Sequence, residues 1–226
     1  MPRPMPTILI ADDHPLFREA LRGAVERVVP EVVLVEAETT DGVYAAAEAH
    51  PDADLLLLDL TMPGAQGFSA LVHLRAAQPL LPIIVVSARE EPTTIRRALD
   101  HGAAGFIPKS ADASTLRHAI ATVLEGGRWA PPQVAQGSPV DREEADVAAR
   151  VRELTPQQFR VLSMLGAGLL NKQIAYELGV SEATVKAHMT AILRKLGASN
   201  RTQAVLVAGR LALDPDGVRP PPPDED

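Results

Sequence analysis

The 226-residue chain contains no cysteine, which excludes a disulfide framework and any metal site built on thiolates. It also lacks a long apolar stretch. The first residues, MPRPMPTILIADD, do not provide the apolar core of a secretory leader. The longest apolar runs, such as Leu55–Leu58, fall far short of the roughly 20 residues needed to cross a bilayer. No internal repeat is visible. With an apolar content of 46%, these absences lead to the expectation of a soluble, cytoplasmic chain with a substantial core and no membrane association. Overall positive charge is missing too. The formal net charge of −7 taken alone speaks against a polyanionic partner.

That charge is unevenly distributed. Residues 1–130 carry 11 basic and 17 acidic side chains, whereas residues 151–213 carry 8 basic and 3 acidic ones. A basic segment on an acidic chain points to a polyanion partner for that segment alone. Between the two, the sequence is rich in Pro, Gln, Gly and charge and reads as a linker ending in a short helix from Asp141. The tail DPDGVRPPPPDED has nothing to bury and is expected to be disordered. The expected organisation is therefore a first domain over 5–129, a linker over 130–150, a second domain over 151–213 and a tail over 214–226.

The first domain alternates short apolar runs with amphipathic stretches. Thr7–Ala11, Val32–Ala37, Leu55–Leu58, Ile83–Ser87 and Gly105–Ile107 read as strands. Pro15–Val28, Thr40–Ala49, Phe68–Gln78, Thr93–His101 and Ala113–Glu125 read as the intervening helices. This repeat predicts a five-stranded parallel sheet covered on both faces, and the continuous LLLL and IIVV runs suit its central strands. Such sheets place their functional sites at the carboxyl ends of the strands. Asp12 and Asp13 follow the first strand, Asp59 ends the third, Ser87 ends the fourth and Lys109 follows the fifth. These tips converge on one edge and gather three carboxylates, a hydroxyl and an ammonium.

Carboxylates held this close repel one another unless a cation joins them, and an all-oxygen donor set selects a hard ion such as Mg²⁺. A carboxylate can also attack phosphorus and hold the group as an aspartyl-phosphate, with metal and lysine neutralising the transferring oxygens. Each residue singly admits a plainer reading. Asp13 ahead of His14-Pro15 could cap a helix. Asp59 before Met62-Pro63-Gly64 could be turn chemistry, and Lys109 and His14 could be solvated loop residues.

The motifs ILIADDHPLFREAL, LLLLDLTMPGAQGFSAL, IIVVSA and AAGFIPKS resemble the receiver domain of response regulators over about Thr7 to Glu125. The resemblance implies a flavodoxin-like, doubly wound α/β fold. It implies Asp59 as phosphoacceptor, with Mg²⁺ held by Asp12, Asp13, Asp59 and the Thr61 backbone carbonyl. Lys109 matches the family lysine, Ser87 the hydroxyl switch position and Phe106 the aromatic switch position. Phe106 lacks the phenolic hydroxyl of the commoner Tyr, and a plain core role stays open for it.

The basic segment is helical throughout. Thr155-Pro156-Gln157-Gln158 is a helix start with capping-box chemistry, followed by Phe159, Leu162 and Leu165 at helical spacing. Asn171 can cap a second helix that ends at Gly179, and Ser181 can cap a third. Two short helices joined by a glycine turn form a helix-turn-helix pattern. In the third helix Val185, Met189, Ile192, Leu193 and Leu196 make one stripe. Ala183, Lys186, Ala187, Thr190 and Arg194 make the opposite, small and cationic face, which suits a major groove. The stretch from Leu154 to Val205, with NKQIA, SEATVKAH and ILRKL, resembles the LuxR/NarL-type output domain, a small all-α four-helix unit. The resemblance implies that Glu182–Leu196 is the recognition helix, with Lys186, Ala187 and Thr190 facing bases or nearby phosphates. Lys172, Ser181 and Thr184 match phosphate contacts, and the last helix, about Arg201–Leu211, matches a dimer element.

Together the resemblances imply a phosphorylation-controlled, promoter-binding homodimer served by a sensor histidine kinase, and not an enzyme. Two other readings stay open at this point. One is a Mg²⁺-dependent phosphatase, although Thr61 stands where such enzymes carry a second carboxylate. The other is a DNA binder whose first domain dimerises without phosphate. Trp129 is open between an interdomain contact and a local plug against the fifth helix.

Overall fold

The computed structural model describes residues 5–64, 67–132 and 142–211. The middle of the expected linker and the expected tail lie outside the described residues. Contacts divide the chain into two compact units, Met1–Pro63 with Gln78–Val140, and Gly64–Ala77 with Asp141–Asp226.

In the first unit, β1 (Thr7–Ala11), β2 (Val33–Ala37), β3 (Leu55–Asp59), β4 (Ile83–Ser87) and β5 (Gly105–Pro108) build one sheet in the order β2-β1-β3-β4-β5. Every pairing is parallel. Every residue of β3 and β4 is buried, as central strands covered on both faces require. The helices α1 (Pro15–Val28), α2 (Thr40–Ala49), α4 (Pro92–Asp100) and α5 (Ala113–Leu124) are connections between them. Observed ends differ from the expected ones by one or two residues, within the fraying of element termini. Inward side chains of α1 and α5, among them Leu21, Val25, Leu116 and Ile120, close one core over Ile8, Ile10, Leu57, Ile84, Val86 and Ile107. Each such side chain contributes roughly 1.5–3 kcal/mol through burial. Because β1 lies between β2 and β3, the chain order reverses there, and a crevice opens where β1 and β3 end.

Trp129 is a local plug. Its backbone extends the edge of β5 by accepting from Phe106 N at 3.1 Å and donating to Ala104 O at 3.2 Å, and its ring packs on the same core. Gly105 permits this approach: a Cβ there would stand 3.1 Å from the Trp129 carbonyl.

The second unit contains α3 (Ser69–Ala77), α6 (Arg142–Arg152), α7 (Pro156–Gly166), α8 (Asn171–Leu178), α9 (Glu182–Leu196) and α10 (Arg201–Gly209). The capping box is present: Thr155 Oγ accepts from Gln158 N, and Gln158 Oε1 accepts from Thr155 N. At α8 the expectation is corrected. Leu170, not Asn171, is the capping residue, because the Gln173 side chain reaches back to Leu170 N at 2.8 Å and draws the helix start one residue earlier. Gly179 ends α8 in the left-handed region at φ 63°, where a Cβ would be strained. The α3 helix is buried at six successive residues, Ser69–Leu74. It packs against α6 and α7, with His73 stacked on Phe159 at 4.3 Å, and Phe68 N donates to Leu211 O at 2.7 Å. A helix buried all round carries no periodic signal naming its neighbour, so this grouping was not legible beforehand.

Candidate functional site

The expected strand tips meet. Asp12 and Asp59 are fully buried, and the Lys109 ammonium lies 2.8 Å from a carboxylate oxygen of each. Burial alone would lower the Lys109 pKa, but hydrogen bonds and charge from Asp12 and Asp59 outweigh it and hold the ammonium above its ordinary value. The lysine stem is placed by its own backbone, since Lys109 N donates to Ser87 O at 2.8 Å. The ammonium also lies 5.0 Å over the Phe17 ring. Ser87 is buried at the end of β4, where its hydroxyl accepts from Arg89 N at 3.1 Å.

Asp59 does take part in turn chemistry: its Oδ1 accepts from Thr61 N at 3.0 Å. The Thr61 hydroxyl also reaches both Asp59 oxygens, at 2.9 and 3.0 Å. Asp13 does not cap α1. The capping position is His14, which makes no side-chain cap bond, and Pro15 follows. Asp13 is half-buried instead, with Oδ1 at 2.8 Å from His14 Nδ1. Donor atoms of Asp12, Asp13, His14 and Asp59 all lie within 4.8 Å of one another, a spacing that one divalent cation can bridge. Phe106 is fully buried in β5.

Arg18 escaped sequence reasoning, and His14 reads there mainly as a solvated loop residue. The Arg18 guanidinium, 11% exposed, donates to the Asp12 carbonyl at 2.7 Å and to Glu36 and Glu38 at 3.1 and 2.6 Å. It thereby ties the loop carrying the acids to the region around the end of β2. The His14 side chain is 64% exposed, yet its ring nitrogen turns inward to the acids. Its place directly after Asp12-Asp13 was the available signal.

In the second unit α8 and α9 form the helix-turn-helix pair. Val185, Met189, Ile192 and Leu196 are buried, and Leu193 is half-buried. Ala183, Lys186, Ala187, Thr190 and Arg194 are exposed, as are Lys172 and Ser181, while Thr184 is half-buried. Ser181 Oγ accepts from Thr184 N at 3.1 Å and thus caps the amino end of α9, whose partial positive charge favours an anion. Thr190 bonds back to Lys186 O at 3.1 Å. Lys195 is fixed internally, donating to Glu153 O and Gln158 Oε1 at 2.7 and 2.8 Å. No helix among the described residues is long and apolar enough to cross a membrane.

Comparison with known proteins identifies both parts of the chain. Residues 8–121 match the response regulator receiver domain, and residues 152–208 match the bacterial regulatory proteins of the luxR family. The chain belongs to the NarL/LuxR-type two-component response regulators. This response regulator is 42% identical to the glycerol metabolism activator of Pseudomonas putida, over 89% of its own length and 94% of that protein. It is 34% identical to the nitrate/nitrite response regulator NarP of Escherichia coli, over 92% and 96% of the two chains. Among solved structures it resembles RcsB of Salmonella enterica serovar Typhimurium, bound to a promoter in the presence of the phosphomimetic BeF3-. There the TM-score is 0.54 and the identity 25%, covering 92% of this chain and all of the other. A second RcsB structure, two dimers bound to two parallel DNAs, is similar with a TM-score of 0.53 and 26% identity, covering 92% and 99%. The response regulator thus joins a receiver to a LuxR-type DNA-binding domain and regulates transcription.

Proposed function

We propose that Asp59 accepts a phosphoryl group from a sensor histidine kinase, and that this modification controls promoter binding by a homodimer. One observation carries the reading: Lys109 places a single cationic group 2.8 Å from each of two fully buried carboxylates, Asp12 and Asp59, at the sheet's switch point. A buried acid pair of this kind calls for a cation and serves one that arrives with phosphate.

The donor set fits Mg²⁺, with Asp12, Asp13, Asp59 and the Thr61 backbone carbonyl as the residues to hold it. When bound, the ion supplies charge neutralisation for the phosphoryl oxygens. Asp59 forms the new O–P bond as the P–N bond of the donor's phosphohistidine breaks, and the electron pair leaves on that imidazole. Lys109 balances the growing negative charge, and the Ser87 hydroxyl donates to a phosphoryl oxygen. Phe106, with no hydroxyl, signals through packing alone as Ser87 moves. The protein is the acceptor of the group and not a turnover catalyst; Thr61 supplies no acid at the position where a phosphatase needs one.

The receiver spans 5–129, the linker 130–150, the output domain 151–213 and the tail 214–226. The protein acts in the cytoplasm on double-stranded DNA. Lys186, Ala187 and Thr190 face the groove, and Lys172, Ser181 and Thr184 face phosphates. A homodimer sets two α9 helices on half-sites about one DNA turn apart. RcsB bound to DNA in the presence of a phosphomimetic, and as dimers, supports the analogy. Acetyl phosphate with Mg²⁺ should add about 80 Da to Asp59, seen by mass spectrometry, and strengthen both dimerisation and promoter binding. Asp59→Asn should abolish all three changes. Equal assembly and DNA affinity with and without the added mass would overturn the reading.

A further inference from the structure

We infer that His14 is a fourth side-chain ligand of the acidic pocket and tunes it toward borderline divalent cations of the Mn²⁺ class. The inference rests on the reading of the pocket as a cation site and goes beyond it by adding a nitrogen donor to an oxygen set.

The geometry is specific to this imidazole. His14 occupies the capping position of α1 but makes no cap bond with its side chain, although that position normally favours a short oxygen-bearing residue. Pro15 supplies no N–H for a cap bond at the first helical position. The His14 backbone instead fixes the loop, donating from N to Asp12 Oδ1 at 2.8 Å. The ring lies over the acids. Its Nδ1 comes to 2.8 Å from Asp13 Oδ1, 3.4 Å from Asp12 Oδ1 and 3.5 Å from Lys109 Nζ. Its donor atom joins those of Asp12, Asp13 and Asp59 in a set spanning no more than 4.8 Å. Two oxygens at opposite sides of a first-row cation stand about 4.2–4.4 Å apart, so the four atoms need little movement to share one ion.

Chemistry then decides which ion gains. Mg²⁺ is hard, demands oxygen and retains water, so it draws little from an imidazole. Mn²⁺ and its heavier neighbours bind imidazole nitrogen progressively better. Because the ring is mostly exposed, it can swing onto or off the ion at small cost to the fold. The pocket therefore accepts Mg²⁺ through its oxygens and holds Mn²⁺ more tightly through the added nitrogen.

The test uses the full chain and Mn²⁺ itself. Pulsed electron paramagnetic resonance of the Mn²⁺-loaded protein should show coupling to a directly bound imidazole nitrogen, absent in His14→Ala. Titration calorimetry should show His14→Ala weakening Mn²⁺ binding about tenfold while Mg²⁺ binding changes less than about twofold. His14→Asn, which restores a polar group without an imidazole, should behave as His14→Ala does. No nitrogen coupling, or equal losses for both ions, overturns the inference even if Mg²⁺ and acetyl phosphate still modify Asp59. Failure of both ions to bind the unaltered chain overturns the pocket reading itself.

Discussion

Lys109 is the residue on which the receiver site balances. Its ammonium lies against two fully buried carboxylates, and only 14% of its side chain reaches solvent. Removing one member of such a cluster leaves uncompensated buried charge, which costs about 3 kcal/mol. Lys109→Met keeps the aliphatic stem and should lower stability by about that amount in urea unfolding at neutral pH. Mg²⁺ should recover more stability in this variant than in the unaltered protein, since the ion then replaces a missing charge; equal recovery would show that the ammonium does not stand where a cation acts. The direction of pH dependence follows from the raised pKa. Lysine gains its partners only in the folded state, so its contribution is complete below the unfolded value of about 10.4 and is lost as pH rises through the higher folded value. The two proteins should therefore differ constantly through neutral pH and converge only in strongly alkaline solution. The strand-tip positions of Asp12, Asp59 and Lys109 were legible from the β-α repeat. The inward turn of His14 was not, because ring orientation is a side-chain torsion that no periodicity records.

The α3 helix shows what one element can add. His73, 3% exposed, stacks on Phe159 of α7, and burial lowers its pKa to about 4. The unfolded imidazole binds a proton near pH 6.5, whereas the folded one resists until about 4. Stability from this packing is thus complete above pH 6.5 and declines as pH falls toward 4, by roughly 3 kcal/mol in all. His73→Leu should flatten the pH dependence of urea unfolding between pH 7 and 4.5. An unchanged slope would mean that burial does not hold the His73 ring neutral. Elements with strong local signals came out as read: α9 spans Glu182–Leu196 with Ser181 at its cap, and α7 begins with its capping box. For α3 the pattern predicted a helix but neither its burial at Ser69–Leu74 nor its company with α6 and α7.

Across the whole chain, charge is the organising quantity. A net charge of −7 conceals the basic stretch over 151–213, and Lys172 and Lys186 are exposed on α8 and α9 within the part that matches the luxR family. Each phosphate-contacting cation contributes to a salt-dependent affinity. Lys186→Ala should weaken promoter binding measured at several salt concentrations. A phosphate contact would reduce the salt slope by about 1, and a base contact would also cost about 1–3 kcal/mol of sequence discrimination. Unchanged binding at moderate salt would remove Lys186 from the interface. The order of residues alone sufficed for the parallel sheet, the acid-lined edge and the exposed cationic face of α9. Each of these follows from local hydrophobic period, capping chemistry and the rule that parallel strands share one carboxyl edge. Tertiary packing settled the rest: Arg18 tying the Asp12 carbonyl to Glu36 and Glu38, His14 turned to the acids, and His73 against Phe159. Such contacts depend on particular rotamers, and those emerge only when the chain is closed on itself.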